Sequence, residues 1–211
     1  VFDSTAKKVW PVRAQEAIMA IASQHLASEL LTYEQYMAEG EVFQRYEILD
    51  GVRIVTNPTP RHQEILGNLF MRLLTYQKAA RAGKVLLAPC DVLIGRAPLR
   101  TRQPDVLFMS NGRLMQNPPF TDPAPRSPAP ELVVEILSPS DTRVVLKEKL
   151  ADYRSVEVLE CWVVSPGART VEVLRLTPTH EESVAIYGEG ETALSITFPD
   201  LAVSVEDVFA E

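Results

Sequence analysis

Pro130-Glu131-Leu132-Val133-Val134-Glu135-Ile136-Leu137-Ser138-Pro139-Ser140 decides how this chain is read. Its apolar run is short, β-branched and closed by serine and proline, so it reads as a strand in the middle of a sheet, buried on both faces. One residue breaks the run. A carboxylate at Glu135 is costly to desolvate unless a cation, a set of donors or a metal ion compensates it. Strand alternation puts positions 131, 133, 135 and 137 on one face, with Glu131 nearer the strand's start. A second strand, Gln103-Pro104-Asp105-Val106-Leu107-Phe108, repeats the theme, with Pro104 setting an extended entry just before a carboxylate. Two acids in apolar strands suggest a metal site on a sheet, because Mg²⁺ takes hard oxygen ligands and keeps several waters. Plainer readings stand beside this one. Asp105 could accept hydrogen bonds from backbone or arginine at a strand edge, and Glu135 could be half of a buried ion pair.

Working outward, Ser138 to Asp141 stops the strand and can cap a helix over 142–154, with Leu146, Leu150 and Tyr153 facing inward. Lys149 borders that stripe and could steady charge on a phosphoryl oxygen. Lys147 competes for the role, and either could equally be a solvated surface lysine. Between the two acidic strands lies Asn117 to Pro130, with six prolines in fourteen residues. Such density excludes helix and inner strand, so a surface loop is expected between strands that neighbour each other.

Toward the N-terminus, Asp50-Gly51 is a hairpin turn joining 46–49 to 52–55, with Glu47 in an otherwise apolar strand. His62 to Ala82 carries a helical stripe. His62, at its start, is either a cap or surface residue or a proton carrier and water-positioning group. Thr32 with Gln35 spells a capping box ahead of a short helix ended by Gly40, and Gln15 to Leu31 reads as an amphipathic helix in an N-terminal extension, residues 1–30. Lys84 to Ile94 reads as one strand interrupted by Pro89, followed by a loop holding Arg96, Pro98, Arg100 and Arg102. Beyond the central helix come strands at 158–165 and 170–176, a turn at Glu189-Gly190-Glu191, and a tail of short strand plus helical turn. The order predicts one α/β (α+β) domain over 31–211, a central mixed sheet flanked by helices. Tyr76, Tyr153 and Trp162 read as core aromatics.

The composition bounds the function. With 211 residues, 46% hydrophobic and 23% charged, the chain can bury an ordinary core. A net charge of −7 argues against a nonspecific grip on nucleic acid, which needs a basic footprint, although a divalent cation offsets part of an acidic site. No apolar run approaches the length of a membrane span, and Val1 to Arg13 has no signal-peptide core. Cys90 and Cys161 read as buried thiols of a reducing cytoplasm. There is no glycine-rich dinucleotide loop, phosphate loop, nucleophile elbow or zinc-protease helix.

Taken together, these blocks resemble a known family. Tyr46-Glu47-Ile48-Leu49-Asp50-Gly51, Arg61-His62-Gln63, the Pro104-Asp105 strand, the Glu131 to Ser140 strand, Glu148-Lys149-Leu150-Ala151-Asp152-Tyr153 and Glu160-Cys161-Trp162-Val163-Val164 occur in the order of the Uma2 family, once called DUF820, over roughly Leu31 to Val208. The resemblance implies a restriction-endonuclease-like fold of the PD-(D/E)xK nucleases. It implies Asp105 and Glu135 as ligands of Mg²⁺, with Mn²⁺ as a substitute, and Glu47 and His62 as accessory groups. The superfamily's lysine, two residues after the glutamate, is Leu137 here. Lys149 on the following helix matches its migrated position. The implied activity is metal-assisted hydrolysis of DNA phosphodiesters, with a homodimer plausible for cutting both strands. Two alternatives stay open: a weak or inactive nuclease fold that only binds, and a hydrolase or binder of another phosphorylated ligand.

Overall fold

The structure, a computed structural model, describes residues 30–42, 44–138 and 142–211. The helix expected from Gln15 and the strand stop at 139–141 therefore fall largely outside the described residues. Helix α1 (Tyr33–Glu39) starts at the capping box: Thr32 accepts from the Gln35 amide, and the Gln35 side chain accepts from the Thr32 amide. Strands β1 (Tyr46–Leu49) and β2 (Val52–Val55) meet at Asp50-Gly51, both at positive φ (51° and 83°), the paired left-handed conformation of a tight hairpin. Helix α2 (Pro60–Ala80) follows, capped by Thr59.

The stretch read as one strand and a loop is different. The chain forms β3 (Gly83–Leu87), then β4 (Val92–Arg96) and β5 (Leu99–Arg102), and β4 and β5 pair as an antiparallel hairpin around Ala97-Pro98. Arg100 and Arg102 therefore lie on a strand and not in a loop. Alternation of arginine with Leu99 and Thr101 is a period-two signal, masked by the prolines on either side. Next come β6 (Val106–Ser110), α3 (Asn111–Gln116), β7 (Leu132–Ile136), α4 (Arg143–Ser155), β8 (Glu160–Ser165), β9 (Thr170–Leu176), β10 (Glu181–Tyr187), β11 (Thr192–Leu194), β12 (Ala202–Ser204) and α5 (Val205–Val208).

The expected central mixed sheet is present and is accompanied by a second, antiparallel sheet and a small third. A six-stranded mixed sheet runs β10-β9-β8-β7-β6-β3, a four-stranded antiparallel sheet runs β2-β1-β5-β4, and β11 pairs with β12. β7 is central, parallel to β8 and antiparallel to β6, and wholly buried, as its apolar run requires. On one face, α2 lays Ile65, Leu69 and Leu73 against Phe108, Val134 and Trp162. On the other, α4 packs Leu150 and Tyr153 against Leu107, Val133 and Cys161. The proline segment connects neighbouring strands as expected, but its second half is not surface. Arg126 is buried and donates to the carbonyls of Pro118, Asp122 and Ala124. Its backbone is laced to Asp91 and Leu93. A segment whose prolines leave it few amides to donate is held in part by three bonds from one arginine.

Candidate active site

The chain leaves the four-stranded sheet at Arg102 and enters the six-stranded one at Val106, so Gln103-Pro104-Asp105 is the seam. The last paired residues of β6 and β7 are Val106 and Val134, and one further step of that register sets Asp105 opposite Glu135. Opposite residues of an antiparallel pair share a face. Register thus brings the two acids together at the mouth of the seam. Both are buried, 1% and 4% exposed.

Each carboxylate is compensated. Asp105 Oδ2 accepts from the Ile136 amide at 2.7 Å, while Oδ1 meets the Arg45 guanidinium and lies 3.2 Å from His62 Nε2. Glu135 accepts from Lys149 Nζ at 2.8 Å and from the Tyr153 hydroxyl. Glu47 Oε2 takes Arg102 Nη1 at 2.7 Å, and its Oε1 lies 3.4 Å from Lys149 Nζ. All five residues singled out in the sequence, Asp105, Glu135, Lys149, Glu47 and His62, line one cavity of about 420 Å³, joined by Arg45, Gln103 and the loop Thr56 to Thr59. His62 is neither a cap nor a surface residue. It is buried in the first turn of α2 with Nε2 on Asp105, and its Nδ1 has no hydrogen-bond partner among the described residues. Lys147 points to solvent, so Lys149 is the lysine of this cavity.

Helix α4 does this with two of its faces. Lys149 and Tyr153, one turn apart, reach Glu135, while Glu148 and Asp152 reach Arg100 and Arg102 of β5. Arg102 is buried, bonded to both Glu47 and Asp152, and so ties the helix to the four-stranded sheet. Arg45, Arg102 and Tyr153 were not among the residues singled out from sequence. Tyr153 reads as core and is core, but its hydroxyl belongs to the site. Arg45 had no local signal, since it simply precedes a strand.

The electrostatics follow from this packing. Burial raises the carboxyl of Asp105, but the bond from His62 and the charge of Arg45 outweigh it and hold the group below its usual range. At Glu135 burial prevails over the Lys149 ammonium, and the neighbouring Asp105 and Glu47 add to the rise. For Lys149 burial would favour the neutral amine. Glu135 and Glu47 override it, and the side chain is held cationic.

The donor set suits a hard divalent cation in kind: two buried carboxylates, facing one cavity, with a third at Glu47. Among the described residues no group of three or more His, Cys, Asp or Glu is arranged as a metal cage. Two carboxylates suit an ion that retains waters, as Mg²⁺ does. Glu160, part of the Glu-Cys-Trp block, contrasts with these acids. It is fully buried but satisfied by neutral donors, Trp162 Nε1 (2.6 Å), Ser195 Oγ (2.8 Å) and the Thr197 amide (2.9 Å), and it organises the 195–198 turn.

The Uma2 family model, described as "Putative restriction endonuclease", matches residues 31–206. The chain belongs to the Uma2 family. Among solved structures, one described as "a putative nuclease belonging to DUF820", from Anabaena variabilis ATCC 29413, matches this Uma2 chain with a TM-score of 0.63 at 19% identity. It covers 85% of this chain and 97% of that one, so the two chains share a fold. No curated protein matches the sequence. No helix among the described residues of this Uma2 protein is long and apolar enough to cross a membrane.

Proposed function

We propose that this Uma2 protein is a divalent-metal-dependent endonuclease that hydrolyses DNA phosphodiester bonds. The observation that carries the reading is the convergence of Asp105, Glu135 and a cationic Lys149 on one cavity at the seam of two sheets. Asp105 and Glu135 would hold a divalent cation, which would supply Lewis-acid activation of a phosphoryl oxygen and of water. Lys149, held between Glu135 and Glu47, stabilises negative charge developing on the phosphoryl group. Tyr153 fixes Glu135, and Arg102 fixes Glu47. His62 holds Asp105 and can exchange a proton at the cavity wall. A second copy of the chain would supply a second such centre, so that both strands of a duplex could be cut together.

The test is plasmid nicking in Mg²⁺ and Mn²⁺, with Asp105→Ala and Glu135→Ala as controls. Metal-dependent nicking by the wild type, absent in both variants, supports the reading; no nicking in any divalent metal refutes it. A second reading is favoured by a specific feature. The three carboxylates already meet three protein cations, Arg45, Lys149 and Arg102, and the whole chain carries −7. A nuclease fold that binds without cutting would have the same balance, and it predicts DNA binding with no nicking.

A further inference from the structure

The same charge balance singles out one cation. A divalent ion entering between Asp105 and Glu135 meets a centre whose carboxylates are each ion-paired, so a resident cation has to give way. Arg102 cannot easily do so. Its side chain is 2% exposed and is bonded at once to Glu47 and Asp152. Lys149 is shared by Glu135 and Glu47, so leaving one carboxylate brings it to the other. Arg45 differs. Among the described residues its side chain pairs with Asp105 alone, and it is about as open as Lys149, 18% against 16%. When it leaves, Asp105 keeps its hydrogen bonds from the Ile136 amide and His62.

Arg45 also has somewhere to go. Its backbone carbonyl accepts from the Thr56 amide at 3.3 Å, which anchors the main chain beside β1. Its side chain lines the 420 Å³ cavity, which besides Glu47 and Glu135 holds the neutral hydrogen-bonding residues Thr56, Asn57 and Thr59. An anion in that cavity finds in the guanidinium a planar fork suited to two phosphate oxygens.

We propose that Arg45 is a phosphate-binding residue that competes with the divalent cation for Asp105. It holds the aspartate until the cation takes it, then turns to the scissile phosphodiester. The proposal rests on the metal-nuclease reading above, and its test separates the two. Mn²⁺ binding is measured by electron paramagnetic resonance on the full chain for wild type, Arg45→Ala, Arg45→Lys and Asp105→Ala. Binding of a short DNA duplex is measured in parallel in Ca²⁺ by fluorescence anisotropy.

Removing a competing unit charge beside the ligand is expected to tighten Mn²⁺ binding about tenfold in Arg45→Ala, after allowance for its partial exposure. Arg45→Lys, which keeps the charge, is expected to stay near the wild type in Mn²⁺ affinity, and Asp105→Ala to lose the ion. Duplex binding is expected to weaken in Arg45→Ala and to be partly restored in Arg45→Lys. Mn²⁺ affinity that is equal or lower in Arg45→Ala overturns the proposal and leaves the nuclease reading standing. So does tighter Mn²⁺ binding with unchanged duplex binding, because the second half of the role would then be missing. No Mn²⁺ binding by the wild type overturns both.

Discussion

Replacing Arg102 by methionine removes the buried cation that joins Glu47 of β1 to Asp152 of α4. Methionine fills much of the arginine stem's volume, so the loss is mainly electrostatic. Breaking a buried pair by removing one partner costs about 3–5 kcal/mol, because the other charge is left uncompensated. Two features pull the value to the low end. Asp152 keeps Arg100 Nε at 2.9 Å, and Glu47 keeps Lys149 at 3.4 Å. The expected loss is therefore about 3 kcal/mol. For a domain of this size that lowers Tm by about 6–12 °C. Differential scanning calorimetry and urea unfolding measure it. Adding Glu47→Gln removes the stranded carboxylate, so the double variant should recover part of the loss and show a coupling of about 1–3 kcal/mol. A loss below about 1 kcal/mol, or strict additivity of the two changes, would refute the argument that Arg102 holds Glu47 as a buried pair.

Lys149→Met should reduce plasmid nicking by about a hundredfold, the cost of losing one donor to developing charge, whereas Lys147→Met on the exposed face should leave it unchanged. Equal effects of the two in an assay that also checks folding by circular dichroism would remove Lys149 from the mechanism. Cys90 offers a pH-dependent check. Burial pushes its thiol up to about 11, against the pull of Arg126, so at pH 8 it is almost entirely the neutral, unreactive form. Iodoacetamide should label it about a hundredfold more slowly in the native protein than in urea, with the rate climbing as pH rises toward 11. Labelling at the denatured rate would mean that the half-buried Cys90 thiol is not held in its neutral form.

Much of the site was readable before the fold was known, because desolvation makes a misplaced charge conspicuous. Glu135 stands out in an unbroken apolar strand and Asp105 follows a proline at the head of another. Glu47 interrupts a hairpin strand in the same way. The capping box of α1, the Asp50-Gly51 turn and the stripes of α2 and α4 are local patterns, and local chemistry was enough to place them. Lys149 was harder. A helical lysine has no unusual neighbours in sequence, and the resemblance to the family is what matches Lys149 to the lysine absent at Leu137.

Three things depend on contacts between residues distant in the chain. The division into two sheets follows from which strands find each other, and prolines around β4 and β5 hid the period-two pattern of Arg100 and Arg102. The meeting of Asp105 with Glu135 follows from strand register, which no single segment specifies. The partners that compensate the acids, Arg45, Arg102 and Tyr153, lie 60, 55 and 18 residues away from them in the chain. Sequence therefore marks where charge is buried, since burying it is costly wherever the strand ends up. Which cation meets each charge, and which of those cations is free to move, is a property of packing across the seam.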